Sequence, residues 1–245
     1  MHMVNSSYIN QSANIKTLSA IQTEVKNINR IALSVDCVIF GFDENKLKVL
    51  LIRSDLKKFQ GLWSLLGDLV DPTVELDSAA TRILKQRTGL DDVYLEQVKT
   101  FGCLDRHPAG RVVTVAYYSL INIQHHKLQI LDNELHWHDV NDITELAFDH
   151  KKILDSSFEQ LQRRVQEHPL AFSLLPSLRE LQNVYEAILD TKMDRRNFRK
   201  KFFAMDFLVD IDQMEQDVPH RPGKLYNFNY NKYEKKKKKW VGIDF

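Results

Sequence analysis

The chain has 245 residues, 27% charged and 43% hydrophobic, with a formal net charge of +1, a length that buries one large core or two small ones. No apolar run approaches the ~20 residues of a membrane helix, and the N-terminus lacks the apolar centre of a secretory signal. With only Cys37 and Cys103 there is no disulfide framework, so the expectation is a cytoplasmic protein in a reducing compartment with no membrane partner.

Charge is unevenly spread. Residues 151–245 hold 19 Lys+Arg against 14 Asp+Glu (+5), whereas residues 1–150 hold 15 against 19 (−4). An acidic front and a basic back point to different partners for the two halves.

In chain order, residues 1–30 are polar and read as an N-terminal arm. Residues 31–42 (IALSVDCVIFGF) have the β-branched and aromatic content of a strand, a turn follows at 43–45, and residues 47–53 (LKVLLIR) return as a second strand. Asp36 either faces a pocket or lies on the wet side of its strand. Both cysteines are expected to be buried small hydrophobes.

Residues 67–90 (GDLVDPTVELDSAATRILKQRTGL) read as a loop, a helix opening near residues 75–78, and Gly89 as its stop. Leu76, Ala79, Ala80 and Ile83 recur at helical spacing and face a core. Together with Trp63-Ser64-Leu65-Leu66-Gly67, Arg82 and Thr88-Gly89-Leu90, this stretch resembles the Nudix box. Aligned on Arg82 and Gly89, the box glycine is Asp68 and the first glutamate falls on Val74. The three glutamates of the later segment fall on Ile83, Gln86 and Arg87, which share one helix ridge. In a Nudix enzyme that ridge presents carboxylates, which hard cations such as Mg²⁺ require. Here it presents an aliphatic group, an amide and a cation that repels a divalent ion. The resemblance therefore implies a Nudix fold without catalysis, metal or cofactor. The alternative is a divergent metal-dependent hydrolase of nucleoside diphosphate compounds using Glu75 or Asp68.

Residues 93–105 carry a further strand, and residues 105–120 (DRHPAGRVVTVAYYSL) read as strand, turn and strand, with Arg106 and Arg111 flanking the turn. This segment resembles that of ADP-ribose-type Nudix proteins and the regulators derived from them, in which a turn arginine helps recognise the ligand. Arginine offers a planar donor fork suited to phosphates or paired sugar hydroxyls; otherwise the two are surface arginines beside a hairpin. The candidate effector-binding residues are Asp36, Arg53, Trp63, Asp105, Arg106, Arg111 and Tyr117. His136 and His138 share a strand face but have no third ligand at diagnostic spacing, so no metal site is assigned. A helix over 151–167 is expected as a linker (151–170) between a domain at 31–150 and another at 171–245.

In the C-terminal part, Leu178, Leu181, Tyr185 and Ile188 trace a helical stripe behind Ser177 as N-cap. Asp194 caps a second helix whose Phe198, Phe202 and Met205 are buried. Arg195 with Arg199, and Arg196 with Lys200, are like-charge i, i+4 pairs that cost a helix a few tenths of a kcal/mol. Such a helix suits a polyanion; the bland reading is a solvated face. Helix, turn and helix make a helix-turn-helix candidate with residues 194–205 as recognition helix. Strands at 207–211 and 224–230, the latter with Tyr226, Phe228 and Tyr230 on one face, would form a wing around the basic turn 220–224. Asp212, Glu215 and Asp217 are expected to point away. Candidate DNA-binding residues are Arg195, Arg196, Asn197, Arg199, Lys200, Lys201, Arg221 and Lys224. The five lysines at 235–239 read as a solvated tail that would add salt-sensitive phosphate attraction.

Over about residues 31–230 the chain resembles the Nudix-related transcriptional regulators of NAD metabolism and pentose utilisation. The resemblance implies an α+β chain: an N-terminal Nudix-like α/β/α sandwich with a mixed sheet, then a small C-terminal winged helix-turn-helix domain. It further implies a homodimeric repressor on palindromic double-stranded operator DNA, with half-sites about one helical turn apart. The effector would be a pentose such as L-arabinose or an ADP-ribose-type nucleotide. The acidic front half favours the uncharged sugar unless Arg53, Arg106 and Arg111 focus positive potential locally.

Overall fold

A computed structural model describes residues 31–43, 46–54, 56–126, 128, 135–168, 177–216 and 221–236. The expected arm at 1–30, Asp217, His220 and the lysines at 237–239 lie outside the described residues.

The first body is built on one sheet. Its strands are β1 (Ala32–Asp43), β2 (Lys46–Arg53), β3 (Trp63–Ser64), β4 (Leu66–Leu69), β5 (Glu96–Phe101), β6 (Val112–Asn122) and β7 (Leu135–Asp139). β1 is the axis. It runs parallel to β6 along its length, antiparallel to β4 at Ser34–Cys37 register and antiparallel to β2 at its far end. β2 then carries β3 and β7, and β5 edges β6. The sheet is therefore mixed, and β1 is buried on both faces, which explains its unbroken apolar run.

Successive side chains of β1 alternate between two layers. Val35, Cys37 and Ile39 pack with Ala80, Ile83 and Leu84 of α1 (Leu76–Thr88). Val38, Phe40 and Phe42 pack with Ile153, Leu154, Leu161 and Val165 of α2 (His150–Glu167). The result is the expected α/β/α sandwich. α1 ends where Gly89 takes a left-handed conformation (φ 73°) and returns its N–H to the Lys85 carbonyl, a position that favours glycine. The helix expected as a linker is a layer of the sandwich, because its apolar stripe has the sheet to cover. Cys37 is buried, donates weakly to the Ala80 carbonyl at 4.0 Å, and burial pushes its thiol up to about 12. Cys103 is exposed instead, because β5 stops at Phe101 and the chain turns outward.

The second body comprises α3 (Leu178–Leu189), α4 (Arg195–Met205), β8 (Leu208–Met214), β9 (Lys224–Phe228) and α5 (Tyr230–Lys236). All four residues of the predicted α3 stripe are buried, and so are Phe198, Phe202 and Met205 of α4. Tyr185 meets Phe198 and Phe202 edge-on, the favoured geometry for packed rings. Tyr230 does not extend the strand. It opens α5, and only Tyr233 of that helix is buried. This core is continuous with the α2 face of the sheet: Leu47, Val49 and Leu51 belong to one buried cluster with Leu181, Tyr185 and Phe202. Gln162 of α2 also donates to the Ile188 carbonyl of α3 at 2.9 Å.

Candidate functional site

A cavity of about 380 Å³ opens beside β1 and β4, lined among others by Asp36, Arg53, Asp68, Arg87, Arg106 and Phe148. Its floor is a buried ion network. The Arg106 fork donates to Asp149 through Nε at 3.2 Å and Nη2 at 2.9 Å, and Nη2 reaches Asp36 at 3.3 Å. The three side chains are only 2%, 11% and 7% exposed, in that order. The Leu65 N–H donates to His150 Nδ1 at 3.0 Å, so Nδ1 carries no proton and Nε2 presents its own toward Asp36, 3.6 Å away. Burial holds His150 below its ordinary value against the pull of Asp36 and Asp149, which favours the neutral ring. Gly67 makes room for this floor. A Cβ there would stand 2.1 Å from Asp36 Oδ1 and 2.8 Å from the Val35 carbonyl.

The walls are aromatic and cationic. Phe148 is held at φ 57°, an uncommon conformation for a bulky residue. It packs on Phe59 at 4.5 Å and stacks with His107 at 5.2 Å. The Arg53 guanidinium lies 3.8 Å over the Trp63 ring and donates to the Gly61 carbonyl. Arg87, on the last turn of α1, lies 3.7 Å from Asp68 and is 44% exposed. Three guanidiniums meet three carboxylates, Asp36 and Asp68 in the lining and Asp149 on the Arg106 fork, so the site is balanced although residues 1–150 carry −4.

Of the predicted effector residues, Asp36, Arg53 and Arg106 line this cavity, and Trp63 backs Arg53 while His138 meets its ring edge-on. Asp105 is exposed outside it. Arg111 turns back on its own loop and donates to the carbonyls of Gly102 at 2.6 Å and Cys103 at 3.1 Å. Tyr117 lies on the opposite face of the sheet, buried under α1, with its hydroxyl on Asp77 at 2.6 Å. Arg87, His107, Phe148 and Asp149 were not foreseen here. The Arg87 signal was its place in the box; Phe148 and Asp149 lie just before the helix expected at 151–167 and carry no pocket signal of their own.

The ridge that would hold a divalent ion does not fit one. Ile83 is 3% exposed and belongs to the core, and Gln86 and Arg87 supply an amide and a cation. Among the described residues no cluster of three or more His, Cys, Asp or Glu can hold a metal.

A second feature lies in the C-terminal body. Asp194 caps α4 by accepting from Asn197 N–H at 2.8 Å, and Glu186 fixes the preceding turn by accepting from Met193 N–H at 3.0 Å. With Phe198, Phe202 and Met205 inward, Arg195, Arg196, Asn197, Arg199 and Lys200 face solvent, and Lys201 is half-buried. Arg195 and Arg199 line a groove of about 140 Å³ with Arg179 from α3 and with Arg221 and Lys224 from the wing. Ser177 caps α3 at this groove, so the positive end of its dipole adds to the five basic side chains. Arg179 was not foreseen. Glu215, expected to point away, instead holds the wing to α3: it accepts from Gly223 N–H at 2.8 Å and from the Ser177 hydroxyl. Asp212 is exposed. Lys224 is partly neutralised by Asp210 at 2.6 Å.

The NUDIX domain family matches residues 30–157, and the NrtR DNA-binding winged helix domain matches residues 171–228. The ADPR responsive transcriptional repressor NtrR of Acinetobacter baylyi is 34% identical over 210 residues, 82% of this chain and 84% of that protein. The crystal structure of Shewanella oneidensis NrtR complexed with a 27mer DNA is 30% identical, with a TM-score of 0.73 over 82% of this chain and 95% of that one. The NUDIX domain of the same NrtR complexed with ADP ribose is 31% identical, with a TM-score of 0.52 over 60% of this chain and 99% of that one. With a Nudix sandwich in front and an NrtR-type winged helix domain behind it, the chain belongs to the NrtR family of Nudix-related transcriptional regulators.

Proposed function

We propose that the protein is an ADP-ribose-responsive repressor: a homodimer that binds a palindromic double-stranded operator and releases it when ADP-ribose enters the Nudix cavity. The observation that carries this reading is the convergence of Arg179, Arg195, Arg199, Arg221 and Lys224 on one groove beside α4, in a chain whose Nudix ridge lacks metal-binding carboxylates. α4 with Arg195, Arg196, Asn197, Arg199, Lys200 and Lys201 would enter the major groove, while Arg179, Arg221 and Lys224 would meet backbone phosphates. The half-exposed Arg87 fork in the cavity suits a diphosphate better than an uncharged pentose, and the A. baylyi and S. oneidensis relatives point the same way. L-arabinose, favoured by the overall acidity of residues 1–150, has no such local match. The role is non-enzymatic and cytoplasmic.

The test is fluorescence anisotropy on duplexes tiled from DNA upstream of the protein's own gene cluster, with competitor DNA present. Each duplex is read alone and with ADP-ribose, L-arabinose or D-xylose. Tight binding to one palindromic fragment, released by ADP-ribose alone, is the expected result. Release by a pentose alone would replace the effector, and binding indifferent to sequence would remove the operator reading.

A further inference from the structure

We infer that Arg87 stands in for the metal ion of a Nudix site: its guanidinium meets the diphosphate of the effector, so binding requires no divalent cation. This rests on the ADP-ribose reading of the same cavity.

The three arginines of the lining are not equally available. Arg106 is 2% exposed and its Nε and Nη2 already serve Asp36 and Asp149. Arg53 is laid flat on Trp63 and tied to the Gly61 carbonyl. Arg87 is 44% exposed, and its ion-pair partner among the described residues, Asp68, stands 3.7 Å off, beyond hydrogen-bond range. Asp68 therefore orients the fork without saturating it. Arg87 also leaves the C-terminal turn of α1, where the helix dipole favours a cation.

The charge count makes Arg87 decisive. Without it, Arg53 and Arg106 face Asp36, Asp68 and Asp149, and the site is net negative. A carboxylate at that position would make the site more negative still, and a diphosphate would then enter only with a cation beside it. With Arg87 the positive charge is covalently attached, and its planar fork matches two phosphate oxygens at once.

The experiment is titration calorimetry on the full chain, using ADP-ribose in EDTA and in Mg²⁺, and inorganic pyrophosphate in EDTA. Wild-type protein is expected to bind ADP-ribose within about twofold in the two buffers. Arg87→Ala is expected to weaken ADP-ribose and pyrophosphate by about ten- to a hundredfold, and Arg87→Lys by less. Melting temperatures show that the variants are folded, since the side chain is half in solvent. A requirement for Mg²⁺, or unchanged affinity in Arg87→Ala, overturns the inference while the effector reading stands. Arg87-dependent pyrophosphate binding without ADP-ribose binding upholds the anion site and removes ADP-ribose as effector. No binding of either ligand removes both.

Discussion

Replacing Arg106 with methionine tests whether the cavity floor is the closed network described. Methionine keeps much of the side chain's length, so the change removes charge and three donor contacts: two to Asp149 and one to Asp36. It leaves two carboxylates, 7% and 11% exposed, facing each other without their common cation. Removing one partner of a buried pair costs about 3–5 kcal/mol. Asp149 sits at the start of α2, and that dipole offsets up to about 1 kcal/mol of the cost. The expected loss is therefore about 3 kcal/mol, or about 6–12 °C in Tm for a chain of this size. Urea unfolding followed by circular dichroism gives the value directly, with the midpoint falling at constant m. A loss under about 1 kcal/mol would mean that the carboxylates reach water by themselves, and the buried network would be refuted.

Gly67→Ala acts on the same floor from the other side, since the new Cβ meets Asp36 Oδ1 at 2.1 Å; overpacking of this kind costs about 1–3 kcal/mol. A double-mutant cycle with Arg106→Met should show coupling above about 0.5 kcal/mol, and additivity would separate the two sites. Arg199→Ala should weaken operator binding and reduce the salt slope by about 1 while ADP-ribose affinity holds; parallel loss of both would refute the division of labour between the two bodies. His150, held below its ordinary 6.5 by burial, favours folding in its neutral form. Its contribution is full above pH 6.5 and is lost as pH falls below that value. Melting temperature should therefore drop on acidification, less steeply in His150→Gln, and parallel profiles would show that the ring does not report on folding.

What was legible in the sequence was local. Ser177 and Asp194 were readable as caps because a cap needs only its own next turn, and the stripe from Leu178 to Ile188 because helical spacing repeats every turn. What was missed depends on distant partners. Arg106 stood out, but its role comes from Asp36, 70 residues before it, and Asp149, 43 after it. Tyr117 was assigned to the pocket because β6 is apolar on both faces, and alternation cannot say which face meets a cavity. The alternating aromatics of β9 ran on into Tyr230, where the chain had already turned into α5. The net charge of residues 1–150 says little about the cavity, because among the described residues Asp36, Arg53, Asp68, Arg87 and Arg106 are its only ionisable lining outside the histidines.

The single buried cluster running from the sheet through α2 into α3 and α4 also bears on how a signal leaves the cavity. Close-packed interiors shift between discrete arrangements and do not stretch, so under the proposed function sensor and reader in one chain would move together as a lever. In the proposed homodimer the adjustable quantity is then the span between two recognition helices, which must match half-sites roughly 34 Å apart. The protein would work as a caliper, with ADP-ribose changing the opening and the operator measuring it.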